Sequence, residues 1–425
     1  FIKEYLDICT ELNVLGFELN DKMMKRLFPK QLRKFKALTA ICTIALASTN
    51  FANADEAWQR AAGVGEFAPA TQDWAAIEAA AREEGTVTIY SVSSRIAKLV
   101  DSFQERYGIE IVGYDIASDL QLEKLRREHN AGVHTVDVLF NSESSILLNE
   151  ALPAKLVWNF IPESVSDELT ESEKSPLLIQ RHSSRIVYYN TMLNPNGAPI
   201  NSLWDMTREE WSGRTLLPSP LEDSLSANFI QTILANPEDM AAAYQREFGE
   251  PLSYSEAVIE AVENIATIDK PNASIEWLYR FLQNEPVFQG STTKIFKNVG
   301  DIAQENPPIG ITTFSKLRKN KKGVYAAGPI YDLDPIFGVT YPTALMIADM
   351  APNPNAAKLL IRYMMEEGFS PWNEPGDYSA RESVEAEQVK EFDLPSFEDL
   401  KLWPVDAEEI YYSKFSFLAL YLELS

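Results

Sequence analysis

Between Thr86 and Asn141 the chain alternates twice between short apolar, β-branched runs and amphipathic stretches of helical period. Val87–Val92, Ile109–Ile116 and Val136–Phe140 read as buried strands. Between the first two, Ile96, Leu99, Val100, Phe103 and Tyr107 fall on one helical face, and Gly108 supplies a stop. Between the second and third, Ser118 with Gln121 gives a capping-box pattern for a helix to about Asn130. Strands that alternate with helices over short connections must be parallel, with helices on both faces of the sheet. A preceding helix is predicted from Asp73 to Glu84, ended by Gly85.

Arg185–Asn190 is another apolar, aromatic run, after which the texture turns rich in Pro and Trp. A boundary is therefore placed near Thr191. Helices are predicted over 226–235, 238–248, 254–265, 273–284 and 292–304, with a short strand at Ile309–Thr312. The Lys316–Lys322 stretch reads as a basic loop, and 355–367 as an amphipathic helix ended by Gly368. The 425 residues, 45% hydrophobic, are enough for two cores. The expected organisation is one lobe from 73–190 plus 325–425 and a second from 191–324. The apolar end, Phe415–Ser425, reads either as a last helix docked on the core or as the product of a shifted frame.

The formal net charge is −24, and the whole acidic excess lies after Ala54. Such a surface repels phosphate backbones and anionic lipid, so nucleic acid is not an expected partner. A small pocket can still carry the opposite sign. Both cysteines, Cys9 and Cys42, lie in the first 54 residues, so the rest of the chain has neither disulfides nor thiolate chemistry. From Met23 or Met24 onward, a basic segment (Lys25 to Lys36), an apolar run from Ala37 to about Ser48 and the small-residue site Ala52-Asn53-Ala54 follow in the order of a secretory signal. Export with cleavage after Ala54 is expected, giving a periplasmic protein. Residues 1–22 are assigned no role.

Several segments resemble, in order, bacterial extracellular solute-binding proteins of ABC importers, in their ferric-iron and phosphate-ester branch. They are GTVTIYSVSSRIAKLVDSFQERYGIEIVGYDIASDLQLEKLRREHNAGVHTVDVLFNS (85–142), RIVYYNT (185–191), PINSLWDMTREEWSGRTLLPSP (199–220), PPIGITTF (307–314) and NPNAAKLLIRYMMEEG (353–368). The resemblance implies a type II periplasmic binding protein fold: two α/β lobes, hinge strands and an interlobe cleft that closes on a ligand and delivers it to an inner-membrane permease. It implies a monomer without a cofactor and without catalysis.

In open α/β sheets, ligands lie beyond the carboxyl ends of strands, at helix N-termini. That rule selects Ser93, Ser94 and Arg95 after the first strand, where hydroxyls, free N–H groups and a guanidinium suit an anion. It also selects Ser118 after the second strand and Asn141, Ser142 and Glu143 after the third. In the second lobe it picks Asp223 and Ser224, and Ser291 with Thr292 and Thr293. Each of these also reads as a plain helix cap or turn. Pro375–Arg381, with Tyr378 and Arg381, resembles a family loop near the cleft mouth and also reads as a structural turn. Tyr188-Tyr189 is an adjacent pair like the phenolate ligands of ferric relatives. However, alternation along a strand aims the two rings apart, and in those relatives the pair comes later in the chain. His129, His134 and His182 lack metal-ligand spacing.

No G-x-S-x-G, Walker A, H-E-x-x-H or strand-linked G-x-G-x-x-G motif is present. The expected cargo is a small polar anion such as a sugar phosphate, organic phosphate or phosphonate, with ferric iron as the alternative. A secreted cleft enzyme such as a glycoside hydrolase, needing two facing carboxylates, is the rival from another class. A binding protein that feeds a sensor is the third.

Overall fold

The computed structural model describes residues 56–425; the expected signal segment and the 1–22 extension lie outside them. Twelve strands form one sheet: β1 (Thr86–Ser91), β2 (Glu110–Asp115), β3 (Val138–Asn141), β4 (Val157–Trp158), β5 (Leu178–Asn190), β6 (Thr215–Leu217), β7 (Val287–Phe288), β8 (Ile309–Thr313), β9 (Ala327–Pro329), β10 (Gly338–Ala348), β11 (Asp377–Ser379) and β12 (Leu402–Pro404). The order is β2-β1-β3-β10-β5-β8-β6-β7, with β9 and β11 also paired to β5, and β4 and β12 to β10.

The first three strands are parallel, as their alternation with helices requires: Ile89 lies opposite Val138, and Tyr90 opposite Tyr114. The intervening helices are α1 (Trp74–Glu84), α2 (Val100–Tyr107) and α3 (Ser118–Asn130). Asp73 caps α1 by accepting from Ala76 N, and Gly85, at φ 74°, ends it. Ser93 and Ser94 open a 3-10 turn, Ser94–Lys98, ahead of α2.

The capping box predicted at Ser118 does not form. Ala117 is the cap residue and has no side-chain cap bond. The Ser118 hydroxyl instead accepts from Ser142 N at 3.1 Å, while Gln121 Nε2 donates to Ile116 O at 2.8 Å. The segments after β2 and β3 thus engage both side chains away from the cap.

Downstream come α4 (Ser224–Leu234), α5 (Pro237–Phe248), α6 (Glu256–Asn264), α7 (Ala273–Gln283), α8 (Thr292–Gly300), α9 (Pro354–Met365), α10 (Glu382–Phe392) and α11 (Ala407–Leu424). One core gathers side chains from 62–179 and 344–380, including Phe103, Phe140 and Trp372. A second gathers 187–339 and 417–424, with Trp204, Trp277 and Phe281. A third, around Tyr188, Phe296 and Phe314, covers the other face of β5. β5 and β10 are long because they run from one core to the other, antiparallel, with a bulge between Thr343 and Ala344. α11 docks: Phe417, Leu420, Tyr421 and Leu424 are buried in the second core. At its start, Asn149 Nδ2 donates to Ala407 O at 3.1 Å. No helix among the described residues is long and apolar enough to cross a membrane.

Candidate functional site

The middle of β5 reads Arg181-His182-Ser183-Ser184-Arg185. Alternation puts Arg181, Ser183 and Arg185 on one face of the crossover and His182 on the other. Charged side chains this deep demand partners. Arg185, whose side chain is 2% exposed, donates from Nη2 to Asp223 Oδ1 at 2.6 Å. Its Nε and Nη1 are buried and have no hydrogen-bond partner, as does Arg181 Nε. The Arg181 guanidinium lies 4.8 Å over the ring of Phe140.

β11 lies beside β5, with Asp377 opposite Ser183. Asp377 Oδ1 accepts from the Ser183 hydroxyl at 2.7 Å, and Oδ2 accepts from Arg95 Nη1 at 2.9 Å. Arg181 Nε stands 3.8 Å from Oδ1. Burial opposes ionisation of this carboxyl, but Arg181, Arg95 and the Ser183 hydroxyl outweigh it and hold Asp377 below its ordinary range. The turn that delivers Asp377 passes through Gly376, at φ 86°, where a Cβ would meet the Phe314 ring at 2.5 Å. At the foot of β10, a Cβ on Gly338 would meet Arg185 O at 2.3 Å. Both glycines let backbones close in around the crossover.

The remaining charges come from Phe314–Lys319, which is a 3-10 helix where the sequence predicts the start of a basic loop. Arg318 Nη1 donates to Ser315 O, and its Nε lies 3.6 Å from Glu374 Oε1. Lys316 is half-buried and makes no ion pair or hydrogen bond among the described residues. Burial, then Arg318 and Arg95, push its ammonium down to about 8, with Asp377 opposing. Burial likewise lowers Arg181 to about 10.

The sequence-selected residues separate by the partners they have. Arg95 and Asp223 join this cluster. Ser93 accepts from Trp372 Nε1 at 3.2 Å and from Arg95 N, while Ser94 is exposed. Asn141 Nδ2 donates to Ser118 O at 2.8 Å and Ser142 Oγ pairs with Thr343 Oγ1 at 2.9 Å, so Ser118, Asn141 and Ser142 tie strand ends together. Glu143 accepts from Asn228 Nδ2 of α4 at 3.3 Å, bridging the segment after β3 to the second core. Ser224 opens α4, and Ser291 caps α8 through Lys294 N; Thr292 O accepts from Thr312. Tyr378 is buried in the third core and donates to Pro395 O at 3.1 Å, and burial raises its phenol well above its ordinary value. Arg381 Nη2 pairs with Glu168 at 2.6 Å. The polar groups of Tyr378 and Arg381 are thus committed away from the cluster.

Arg181, Arg185, Lys316 and Arg318 are not among the candidates the sequence offers, and Asp377 lies in its 375–381 stretch without being singled out. The available signal was two arginines four apart in an otherwise buried strand, with no acid nearby in sequence to neutralise them.

On the opposite face of the crossover, His182 pairs with Glu173 at 3.1 Å and stacks on Phe397 at 4.8 Å. A cavity of about 370 Å³ there is lined by Asn141, Ser142, Leu147, Leu177, His182 and Phe397, among others. Tyr188 is fully buried and its hydroxyl donates to Phe314 O. Among the described residues, no three His, Cys, Asp or Glu side chains are grouped to hold a metal.

No protein-family model matches the chain, and no curated protein matches it. Solved structures do. Iron-bound HitA from Pseudomonas aeruginosa is 17% identical with a TM-score of 0.58, covering 80% of this chain and 99% of that one. The ferric binding protein from Campylobacter jejuni is 16% identical with a TM-score of 0.56, covering 80% and 99%. The substrate binding protein of an ABC transporter from Agrobacterium tumefaciens is 12% identical with a TM-score of 0.57, covering 80% and 94%. At these identities the likeness establishes the fold: the chain has the α/β architecture of two-lobed periplasmic binding proteins.

Proposed function

We propose that this chain is the periplasmic substrate-binding component of an ABC importer. Its cargo is a small anionic solute, a phosphorylated compound by preference, taken up at the crossover. The observation that carries this reading is the convergence of Arg95, Arg181, Arg185, Lys316 and Arg318 on the crossover of a chain whose net charge is −24. Two buried nitrogens of Arg185 without hydrogen-bond partners point the same way. Concentrating cations in low dielectric costs free energy unless an anion offsets it. The cluster draws Arg95 from after β1, Asp223 from the N-cap of α4 and Lys316 from after β8, so an anion bound there contacts groups held by both cores. Binding and closure then form one coupled equilibrium. Export with cleavage after Ala54, monomeric state and delivery to an inner-membrane permease belong to the same proposal, as does a role without catalysis.

Ferric iron is the second reading, favoured by the iron-bound and ferric-binding neighbours. A bare trivalent cation would be repelled by this cluster, so iron would need an accompanying anion. The test is a thermal-shift panel of sugar phosphates, phosphonates and ferric citrate. A shift that grows with the concentration of a phosphorylated compound supports the anion reading. A shift with iron alone replaces it with the iron reading.

A further inference from the structure

Resting on the anion reading, the charge distribution within the cluster assigns a more specific role. We propose that Lys316 determines specificity in this cleft: its ammonium, with the unpaired edge of Arg185, selects a solute whose bound group carries two negative charges.

The argument is one of partners. Five cationic side chains meet three carboxylates. Asp377 serves both Arg95 and Arg181, Asp223 serves Arg185, and Glu374 stands beside Arg318. Two positive charges are left without a carboxylate of their own. They are not spread evenly. Arg95, the residue that sequence favours for the anion, is already paired with a carboxylate only 3% exposed. Arg181 Nε also lacks a hydrogen bond but stands 3.8 Å from Asp377 Oδ1, so the Nε and Nη1 of Arg185 and the ammonium of Lys316 are the donors left with no acceptor beside them. A monoanion neutralises half of that excess, whereas a dianionic tetrahedral group such as a phosphomonoester neutralises all of it and offers oxygens to both residues.

The charges that act on Lys316 are Arg318 on its own helix, Arg95 from the loop after β1, Arg185 on β5 and Asp377 on β11. Beyond them lie Asp223, paired with Arg185, and Glu374, beside Arg318. Burial, with three cations against one carboxylate, pushes the ammonium down to about 8. A bound anion favours the charged form, so near pH 8 binding draws a proton onto Lys316, and affinity falls as pH rises through that value.

The probe is sulfate, a tetrahedral dianion that does not titrate in this range, against methyl sulfate, its monoanionic counterpart. Isothermal titrations of the full chain at pH 8 use buffers of different ionisation enthalpy. The expected result is sulfate bound roughly tenfold or more tighter than methyl sulfate, with fractional proton uptake. Lys316→Met is expected to lose both the preference and the uptake. Lys316→Arg, always charged, is expected to keep the preference and lose the uptake. Lys316→Met binding sulfate like the parent, with unchanged proton uptake, overturns the role of Lys316 and leaves the anion reading standing. Binding of neither sulfate, methyl sulfate nor inorganic phosphate to the parent chain overturns both.

Discussion

Asp377 is the residue on which the cluster's electrostatics turn. It is a buried carboxylate held ionised by two guanidiniums and a hydroxyl. Removing its charge leaves Arg95 and Arg181 buried without their anion, and breaking such a pair costs about 3–5 kcal/mol. Asp377→Asn is therefore expected to lower the urea midpoint substantially. Because its folded pKa is depressed, the carboxyl contributes stability that is present above its unfolded value of 3.8 and lost as pH falls through the lower folded value. The variant's stability should vary less with pH in that acid range. Lys316 has the opposite sign. Its folded value lies near 8 against 10.5 unfolded, so between those values the unfolded chain binds more protons and stability rises with pH. At neutral pH the charged lysine is a cost, and Lys316→Met should stabilise the ligand-free chain, by on the order of 1 kcal/mol. A thermal melt at pH 7 checks this. A fall in melting temperature would show that Lys316 holds the fold together.

At the scale of elements, β5 and α11 differ in how well their sequences announce them. Arg185–Asn190 is recognisable as a strand, yet β5 begins seven residues earlier, at Leu178, through a polar stretch that propensity disfavours. Pairing with β10 and β9 on one side and with β8 and β11 on the other overrides that preference. The apolar C-terminal stretch is ambiguous as sequence because an apolar run does not say what it packs against. In the structure Phe417 is 3% exposed within the second core. Phe417→Ala should cost about 3–5 kcal/mol, read as a shift in denaturation midpoint. A negligible shift would mean that the helix does not dock. Ser118 illustrates a misleading local pattern: Ser-x-x-Gln is a capping signature, but the hydroxyl is taken by Ser142 N across the sheet.

For the whole molecule, the sheet continues through both cores, and β5 and β10 form its crossover. A ligand that touches groups held by both cores stabilises the chain by mass action, about 2.7 kcal/mol at one hundred times its dissociation constant. A phosphorylated cargo should accordingly raise the melting temperature in a concentration-dependent way and slow hydrogen exchange in β5 and β10 together. Protection confined to one core would argue against a shared site. The sequence by itself determined the parallel βα alternation, the helix stop at Gly85, and the loops beyond strand ends, because these depend on periodicity and neighbours within a few residues. Only the tertiary structure decided which charges meet. Arg95, Arg185, Lys316 and Asp377 are scattered over nearly three hundred residues, and local sequence carries no record of a partner that the crossover brings in from elsewhere. Burial then makes their encounter costly, since low dielectric penalises an unpaired cation.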